Sequence, residues 1–77
     1  NGWWVYHPFD SRRSEEGWPD LVLARPPKMI LVECKKQDGE LSPAQAAVVA
    51  LLRECGQEVY IWRPSDWPEV VKVLERP

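Results

Sequence analysis

The apolar residues of this chain form runs typical of strands in its first half and a helical repeat in its second half. Runs rich in β-branched and aromatic residues predict strands at residues 3–6, 20–25, 29–36 and 58–62. Apolar positions with helical spacing predict one helix from residue 43 to about residue 55 and another that begins near residue 66. The predicted order βββαβα indicates an α/β fold, with a small mixed β-sheet flanked by helices.

The connections between these segments predict how the strands pair. Only Pro26, Pro27 and Lys28 separate the second and third runs, which favours an antiparallel hairpin. The fourth run follows a helix, and a strand that follows a crossover helix usually joins the sheet in parallel. We therefore expect both kinds of pairing in one sheet.

Capping residues mark where both predicted helices begin. Ser42, Pro43 and Gln45 have the spacing of a capping box with proline at the first helical position. Asp66 and Glu69 have the same spacing, so we expect Asp66 to be the N-cap of the last helix.

The first predicted helix has more apolar residues than one buried face needs. We expect its buried stripe to comprise Ala44, Ala47, Val48, Leu51, Leu52 and Cys55. A second stripe of small residues would be exposed in a lone domain: Ala46, Val49 and Ala50. We expect another helix or a second subunit to pack there. A helix before the first strand is one candidate, because Asn1 and Gly2 are typical of a helix end; a flexible N-terminus is the alternative.

Length and composition narrow the classes of protein. With 77 residues and a net charge of −2, the chain predicts one small domain (residues 1–77) without a broad positive field. No run approaches the roughly 18 apolar residues of a membrane span and no signal peptide is evident, so we expect a cytoplasmic protein without a membrane partner. Cys34 and Cys55 lie in apolar segments, which favours buried free thiols in a reducing compartment.

Two acidic residues and a lysine lie at the ends of neighbouring predicted strands. Asp20 begins the second strand, and Glu33 and Lys35 near the end of the third project to one face because side chains alternate along a strand. With the backbone carbonyl of Cys34, the carboxylates offer oxygen ligands that suit Mg²⁺ or Mn²⁺. Such an ion would activate water for attack on a phosphate, and Lys35 could orient that water or stabilise developing charge. The alternative is that Asp20 caps a turn and the other two form a surface pair.

The loop that leads to Asp20 contains basic and hydroxyl side chains. Ser11, Arg12 and Arg13 suit contacts with phosphate groups, although such a cluster is also typical of solvated surface. His7 is the only histidine. It either makes a structural hydrogen bond at the end of the first strand or contacts a substrate phosphate or the attacking water.

Three sequence motifs occur in an order that resembles a known family. They are Gly17-Trp18-Pro19-Asp20, Glu33-Cys34-Lys35 and Ser42-Pro43-Ala44-Gln45. They are similar to those of the VRR-NUC (virus-type replication-repair nuclease) domain of the PD-(D/E)xK superfamily. The entry strand at residues 2–7, the run at residues 10–14 and the ending at residues 62–67 extend the resemblance to nearly the whole chain. It is strongest to the small stand-alone members from phages and bacteria.

The resemblance implies a restriction-endonuclease-like core and a set of site residues. It implies that Asp20 and Glu33 bind Mg²⁺ or Mn²⁺ together with the Cys34 carbonyl, and that Lys35 is the catalytic lysine. Gln45 matches the family's glutamine and would support the site. Its capping-box role competes with this, and we expect one side chain not to satisfy both roles fully.

The resemblance also implies DNA as the substrate. The candidate DNA contacts are His7, Ser11, Arg12 and Arg13, with Arg25, Lys28 and Lys36 as further candidates. Small stand-alone members are similar to Holliday-junction resolvases in working as homodimers. We therefore expect a homodimer that cuts branched or flapped DNA in the cytoplasm of a bacterium or a phage-infected cell.

The sequence departs from the family's pattern at one position in the fold. The family usually has another acidic residue on a helix before the entry strand, and that helix does not occur in this sequence. The resemblance therefore does not by itself imply a second metal site, full activity or stability as a monomer.

Two other classes of function are also open. A non-catalytic DNA-binding or assembly module would bind DNA without cutting it, and a purely structural interaction domain would bind neither DNA nor metal.

Overall fold

The computed structural model of the chain describes residues 2–8 and 16–76. These residues form a four-stranded sheet with a helix packed on each face. The strands are β1 (Trp4–Tyr6), β2 (Leu21–Arg25), β3 (Lys28–Cys34) and β4 (Glu58–Trp62), and the helices are α1 (Pro43–Glu54) and α2 (Trp67–Glu75). The predicted α/β fold and its βββαβα order are confirmed.

The sheet is mixed, as the connections predict. Its strands lie in the order β1-β2-β3-β4, with antiparallel pairing of β1 with β2 and of β2 with β3. β4 lies parallel to β3 after the crossover through α1. The pairing of β3 with β4 continues one step past the strand end, because the Lys35 N–H donates to the Trp62 carbonyl at 2.9 Å.

Alternating side chains of the central strands fill a core on each face of the sheet. The core under α2 contains Leu23, Ile30, Val32 and Val73. The core under α1 contains Leu31, Val49 and Val59, with Val22, Leu52 and Ile61 packed against it. We call the side of the sheet that α1 covers the α1 face. By alternation from Val22 and Leu31, Asp20 and Glu33 lie on this face.

The N-terminal cap of α1 is as predicted, but its buried face is not. Ser42 and Gln45 form the capping box, with each side chain accepting from the other residue's N–H. Val49, expected to be exposed, is only 3% exposed and packs in the core, whereas Leu51 is 58% exposed. Both stripes of the helix are apolar, so periodicity could not choose between them. The exposed side, which we call the α1 outer face, comprises Ala46, Ala47, Ala50 and Leu51.

Asp66 is the N-cap residue of the last helix, as predicted, but the predicted capping bond of its side chain is not made. A short 3₁₀ helix, Pro64–Asp66, precedes α2, and the Asp66 carboxylate reaches back to accept from the Arg63 N–H at 2.9 Å. The Asp66 carboxylate is thus hydrogen-bonded within the 3₁₀ turn that begins at Pro64. Val70 and Val73 are the buried residues of α2.

Both cysteines are free, as predicted, but neither is buried. Cys34 is the last residue of β3, and Cys55 is the C-cap of α1. Each therefore lies where its element leaves the core, which explains the exposure that the apolar pattern did not predict. No helix within residues 2–8 and 16–76 is long and apolar enough to cross a membrane.

Candidate active site

The pairing of β2 with β3 brings Asp20 beside Glu33. Leu21 lies opposite Val32, so the next step of the antiparallel register places Asp20 next to Glu33. The Asp20 carboxylate accepts a hydrogen bond from the Cys34 N–H at 2.8 Å. This bond holds the acidic end of β2 against the end of β3. The predicted meeting of the two acids at one sheet end is what the structure describes.

Glu33 is a buried carboxylate without a hydrogen-bond partner. Its side chain is fully buried, and neither oxygen is bonded within the described part of the chain. Burial and, second, the neighbouring Asp20 carboxylate raise the pKa of Glu33 to about 7, and the Lys35 ammonium opposes this rise only in part. A buried carboxylate whose oxygens have no hydrogen-bond donor is unfavourable when charged, so the position favours either a proton or a cation.

Few side chains at this position could serve as metal ligands. Among residues 2–8 and 16–76, no group of three or more His, Cys, Asp or Glu side chains is placed to hold a metal. A cation here would therefore be held by Asp20, Glu33 and backbone, water or substrate oxygens. Mg²⁺ and Mn²⁺ accept such sets, whereas Zn²⁺ prefers His and Cys. The unpartnered oxygens of Glu33 fit a hard cation.

Cys34 contributes to this position through its backbone. Its N–H binds Asp20, and its thiol lies on the exposed end of β3. Partial burial raises the pKa of the Cys34 thiol, and the carboxylates of Asp20 and Glu33 raise it further. The thiol is thereby kept protonated, so a role in nucleophilic chemistry is disfavoured.

Lys35 and Gln45 meet on the α1 face. The Lys35 Nζ donates to the Gln45 Oε1 at 2.8 Å, and the same oxygen accepts from the Ser42 N–H at 2.9 Å. We expected one side chain not to satisfy both roles fully, but Gln45 makes the capping bond and the bond to Lys35 at the same time. An amide oxygen has two lone pairs and here it accepts both bonds. The helix cap and the position of the lysine thus depend on one atom.

Gly17 fits the turn before Asp20 closely against the start of α1. Its φ is +90°, and a Cβ on this residue would overlap the carbonyl of Ala44. Only glycine accepts both the positive φ and this approach. Pro19, next to Asp20, is fully buried. Gly17 belongs to the Gly17–Asp20 motif, whose spacing does not predict the contact of this glycine with α1.

The loop between β3 and α1 is held by residues after β4. Gln37 and Ser65 exchange two hydrogen bonds, from the Gln37 Nε2 to the Ser65 Oγ at 2.8 Å and from the Ser65 N–H to the Gln37 Oε1 at 2.9 Å. The Arg63 guanidinium donates twice to the carbonyl of Gly39. These bonds order the chain directly after Lys35. Nothing in the spacing of these residues predicts them.

The basic candidates are only partly brought to this end of the sheet. His7 is exposed and follows β1 at the end where β2 begins. Ser11, Arg12 and Arg13 lie outside the described residues, as does most of the loop before Asp20.

Two further candidates for DNA contact lie at the wrong end of the sheet. Arg25 and Lys28 flank the hairpin turn at the opposite end of β2 and β3 from Asp20. Arg25 packs over the Trp3 ring, 4.6 Å from its centroid, and donates to the Arg76 carbonyl. Lys28 lies 3.9 Å from the Glu58 carboxylate. The antiparallel hairpin, once formed, separates both from the acids.

Comparisons with known proteins bear on the fold of the chain and on its family. Residues 5–66 match the family model of the VRR-NUC domain. The solved structure of Hjc, a Holliday junction resolvase from the archaeal hyperthermophile Archaeoglobus fulgidus, is similar, with a TM-score of 0.55 and 22% sequence identity. The similarity covers 82% of this chain and 56% of the Hjc chain, so this chain spans a little over half of the Hjc length. It confirms the restriction-endonuclease-like fold. A comparison with curated proteins finds no match.

Proposed function

Because this chain belongs to the VRR-NUC domain family, we propose that it is a divalent-metal-dependent endonuclease that hydrolyses phosphodiester bonds in DNA. The observation that supports this most is Glu33, a fully buried carboxylate with unpartnered oxygens beside Asp20. A bound cation would offset the free-energy cost of burying the charge of Glu33. It would also offset the repulsion between the two carboxylates. Membership of a nuclease family implies phosphodiester hydrolysis, and the metal dependence and the site residues are added by this proposal.

In this proposal Asp20, Glu33 and the backbone carbonyl of Cys34 hold Mg²⁺ or Mn²⁺. When bound, such an ion polarises the phosphate and lowers the pKa of a coordinated water. The protein contributes a preformed site, since the bond from the Cys34 N–H already fixes Asp20 next to the buried Glu33. Few protein ligands are needed, because Mg²⁺ retains waters and takes phosphate oxygens from its substrate.

Lys35 acts on the reacting phosphate, and Gln45 positions Lys35. The Lys35 Nζ uses one of its three protons for the Gln45 Oε1, which leaves two that can bind a water or a phosphate oxygen. A compact ammonium group there stabilises negative charge that develops on the phosphate. The second bond of Gln45, to the Ser42 N–H, ties this lysine to the start of α1.

The substrate and the assembly are finer parts of the same proposal. Hjc, whose fold this chain shares, is a Holliday junction resolvase, so we propose branched or flapped DNA as the substrate. The proposed DNA contacts are His7, Ser11, Arg12 and Arg13. The exposed apolar α1 outer face supports a homodimer, because a lone domain leaves Leu51 largely in water. A single nuclease domain spanning residues 1–77 is assumed, in the cytoplasm of a bacterium or a phage-infected cell.

A cleavage panel tests the proposal. A four-way junction, a flap, a single strand and a duplex are each incubated with Mg²⁺, Mn²⁺ or a chelator. We expect Asp20→Asn and Lys35→Met to lower the rate by about a hundredfold or more, because each removes a group that acts in the transition state. Asp38→Asn and Lys72→Met remove an exposed acid and an exposed lysine elsewhere, and they should cut like the parent.

Circular dichroism of each variant shows that a lost activity is not a lost fold. Cleavage by the parent in the presence of chelator would contradict metal dependence. Equal rates for Asp20→Asn, Lys35→Met and the parent would show that the site assignment is wrong. Structure-selective binding with no cleavage in either metal would support the non-catalytic module instead.

A further inference from the structure

We propose that an exposed aromatic surface beside the candidate active site binds unpaired bases of the DNA substrate by stacking. The surface, which we call the aromatic platform, comprises Trp4, Tyr6, Trp18 and Met29. This proposal rests on the proposed nuclease function and specifies its substrate, namely DNA that offers a single strand next to the phosphate that is cut.

The platform side chains are large, apolar and exposed. Trp4 is 63% exposed, Tyr6 50%, Met29 47% and Trp18 37%. Rings of this size stabilise a fold when buried, and a group of them left in water marks a binding surface. Val5 on the opposite face of β1 is also exposed, at 56%, but the large side chains are concentrated on the face that carries the two acids.

Strand register places the platform on the same face as the two acids. Tyr6 lies opposite Val22 and Trp4 lies opposite Ala24, while Met29 pairs with Ala24 from the other side. Val22 packs against the core under α1, so all of these side chains belong to the α1 face. Helix α1 packs over β3 and β4 and leaves the β1 and β2 half of this face open.

The platform begins about one nucleotide from the acids. Val22 is two residues along β2 from Asp20, or about 7 Å, and the neighbouring β1 lies about 5 Å across the sheet. Tyr6, opposite Val22, is therefore the platform ring of β1 closest to the candidate site. Trp18 precedes Asp20 by two residues and lines a groove with Val22, Leu31 and Leu52. A strand whose phosphate lies at Asp20 passes over these rings.

The ring geometry suits nucleobases. The Trp4 and Tyr6 rings are parallel within 5°, with centroids 6.2 Å apart. The two rings stack on each other, and their exposure leaves aromatic surface open to a base; stacking of bases on such rings is tolerant of sequence. The bases of an intact duplex are already stacked on each other and cannot use it. The platform therefore favours unpaired strands over duplex.

Charge also favours bases as the ligand of this surface. The chain has a net charge of −2, so a broad attraction for the phosphate backbone is absent. Apolar stacking can supply the missing affinity without added positive charge. A second copy of this chain would be a competing ligand, but the α1 outer face offers it a separate apolar surface on the far side of α1.

Binding measurements on an inactive background test the platform. In Asp20→Asn protein, the affinities for a short oligothymidylate and for a blunt duplex of equal length are measured by fluorescence anisotropy. We expect Trp4→Leu and Tyr6→Leu each to weaken oligothymidylate binding about tenfold and to leave duplex binding unchanged. Tyr6→Phe, which keeps the ring, should bind like the parent. Trp67→Leu removes an equally exposed ring from α2 and serves as the matched control.

Two results would overturn the platform. One is unchanged oligothymidylate binding by both leucine variants. The other is a shift from dimer to monomer in sedimentation for those variants, which would show that a second copy covers the surface. Ring-dependent binding by a parent that cuts nothing would support the platform and refute the nuclease function. Metal-dependent cutting by the parent, with oligothymidylate binding unchanged in Trp4→Leu and Tyr6→Leu, would support the nuclease function and refute the platform.

Discussion

Replacing Glu33 with glutamine should stabilise the metal-free protein while it removes cleavage. Glu33 is fully buried, and burial together with Asp20 raises its pKa from 4.5 to about 7. The folded state therefore binds a proton more tightly than the unfolded state between these two values. Stability conferred by the protonated form is fully present below pH 4.5 and is lost as the pH rises to about 7.

The magnitude follows from the pKa difference. A rise from 4.5 to about 7 corresponds to a loss on the order of 3 kcal/mol above pH 7. A neutral glutamine has no such loss and can donate its amide protons to the Asp20 carboxylate. For a domain of this size, the gain should raise the melting temperature at pH 8 by about 10–20 °C, and it should shrink towards zero near pH 4.5.

Thermal melts of parent and Glu33→Gln at half-unit steps from pH 4.5 to 8.5, with chelator present, measure the effect. Glu40→Gln removes an exposed glutamate and should follow the parent curve. Added Mg²⁺ should raise the melting temperature of the parent at pH 8 and should not raise that of Glu33→Gln. Parallel curves across the pH range, or a glutamine variant no more stable than the parent at pH 8, would refute the reasoning.

Three further predictions concern the groups that hold the site. Gly17→Ala should lose about 2 kcal/mol or more in urea unfolding, whereas Gly56→Ala, with a similar positive φ but open space around it, should lose only about 1 kcal/mol; equal losses would contradict the proposed clash with α1. Gln45→Ala and Ser42→Ala should each lower the free energy of unfolding by about 1 kcal/mol, because each removes a helix-capping bond. Gln45→Ala should in addition cut about tenfold more slowly than Ser42→Ala, because it also removes the bond to Lys35. Equal cleavage rates for the two variants would show that this bond is unimportant. Leu51→Glu should convert the proposed dimer to monomer in sedimentation, and an unchanged mass would place the dimer surface elsewhere.

Much of the fold was predictable because neighbouring residues determine it. Runs of β-branched residues and a two-proline turn specify the hairpin, and its register then brings Asp20 to Glu33. The Ser42 and Gln45 capping box is equally local and is confirmed. These features depend on spacing along the chain, which a sequence displays directly.

The features that were missed depend on contacts between distant segments. The rotation of α1 about its axis is decided by the packing of Val49 between β3 and β4, and periodicity alone left two apolar faces equivalent. Asp66 is the N-cap of α2 but makes no capping bond, because Pro64 begins a 3₁₀ turn in which its carboxylate accepts from the Arg63 N–H instead. The shared role of Gln45 required knowing that the lysine and the helix start approach one oxygen from two sides.

The candidate site and the fold of this small domain use the same contacts. The Asp20 carboxylate joins β2 to β3, the Gln45 amide joins β3 to α1, and Gly17 brings the turn before β2 against α1. Substitutions therefore separate into two classes. Removing the buried charge of Glu33 should stabilise the fold and abolish cleavage, whereas removing a contact that joins two elements should lower both. Stability measured beside activity thus distinguishes a substitution that removes only a buried charge from one that also removes a contact between two elements, which activity alone does not.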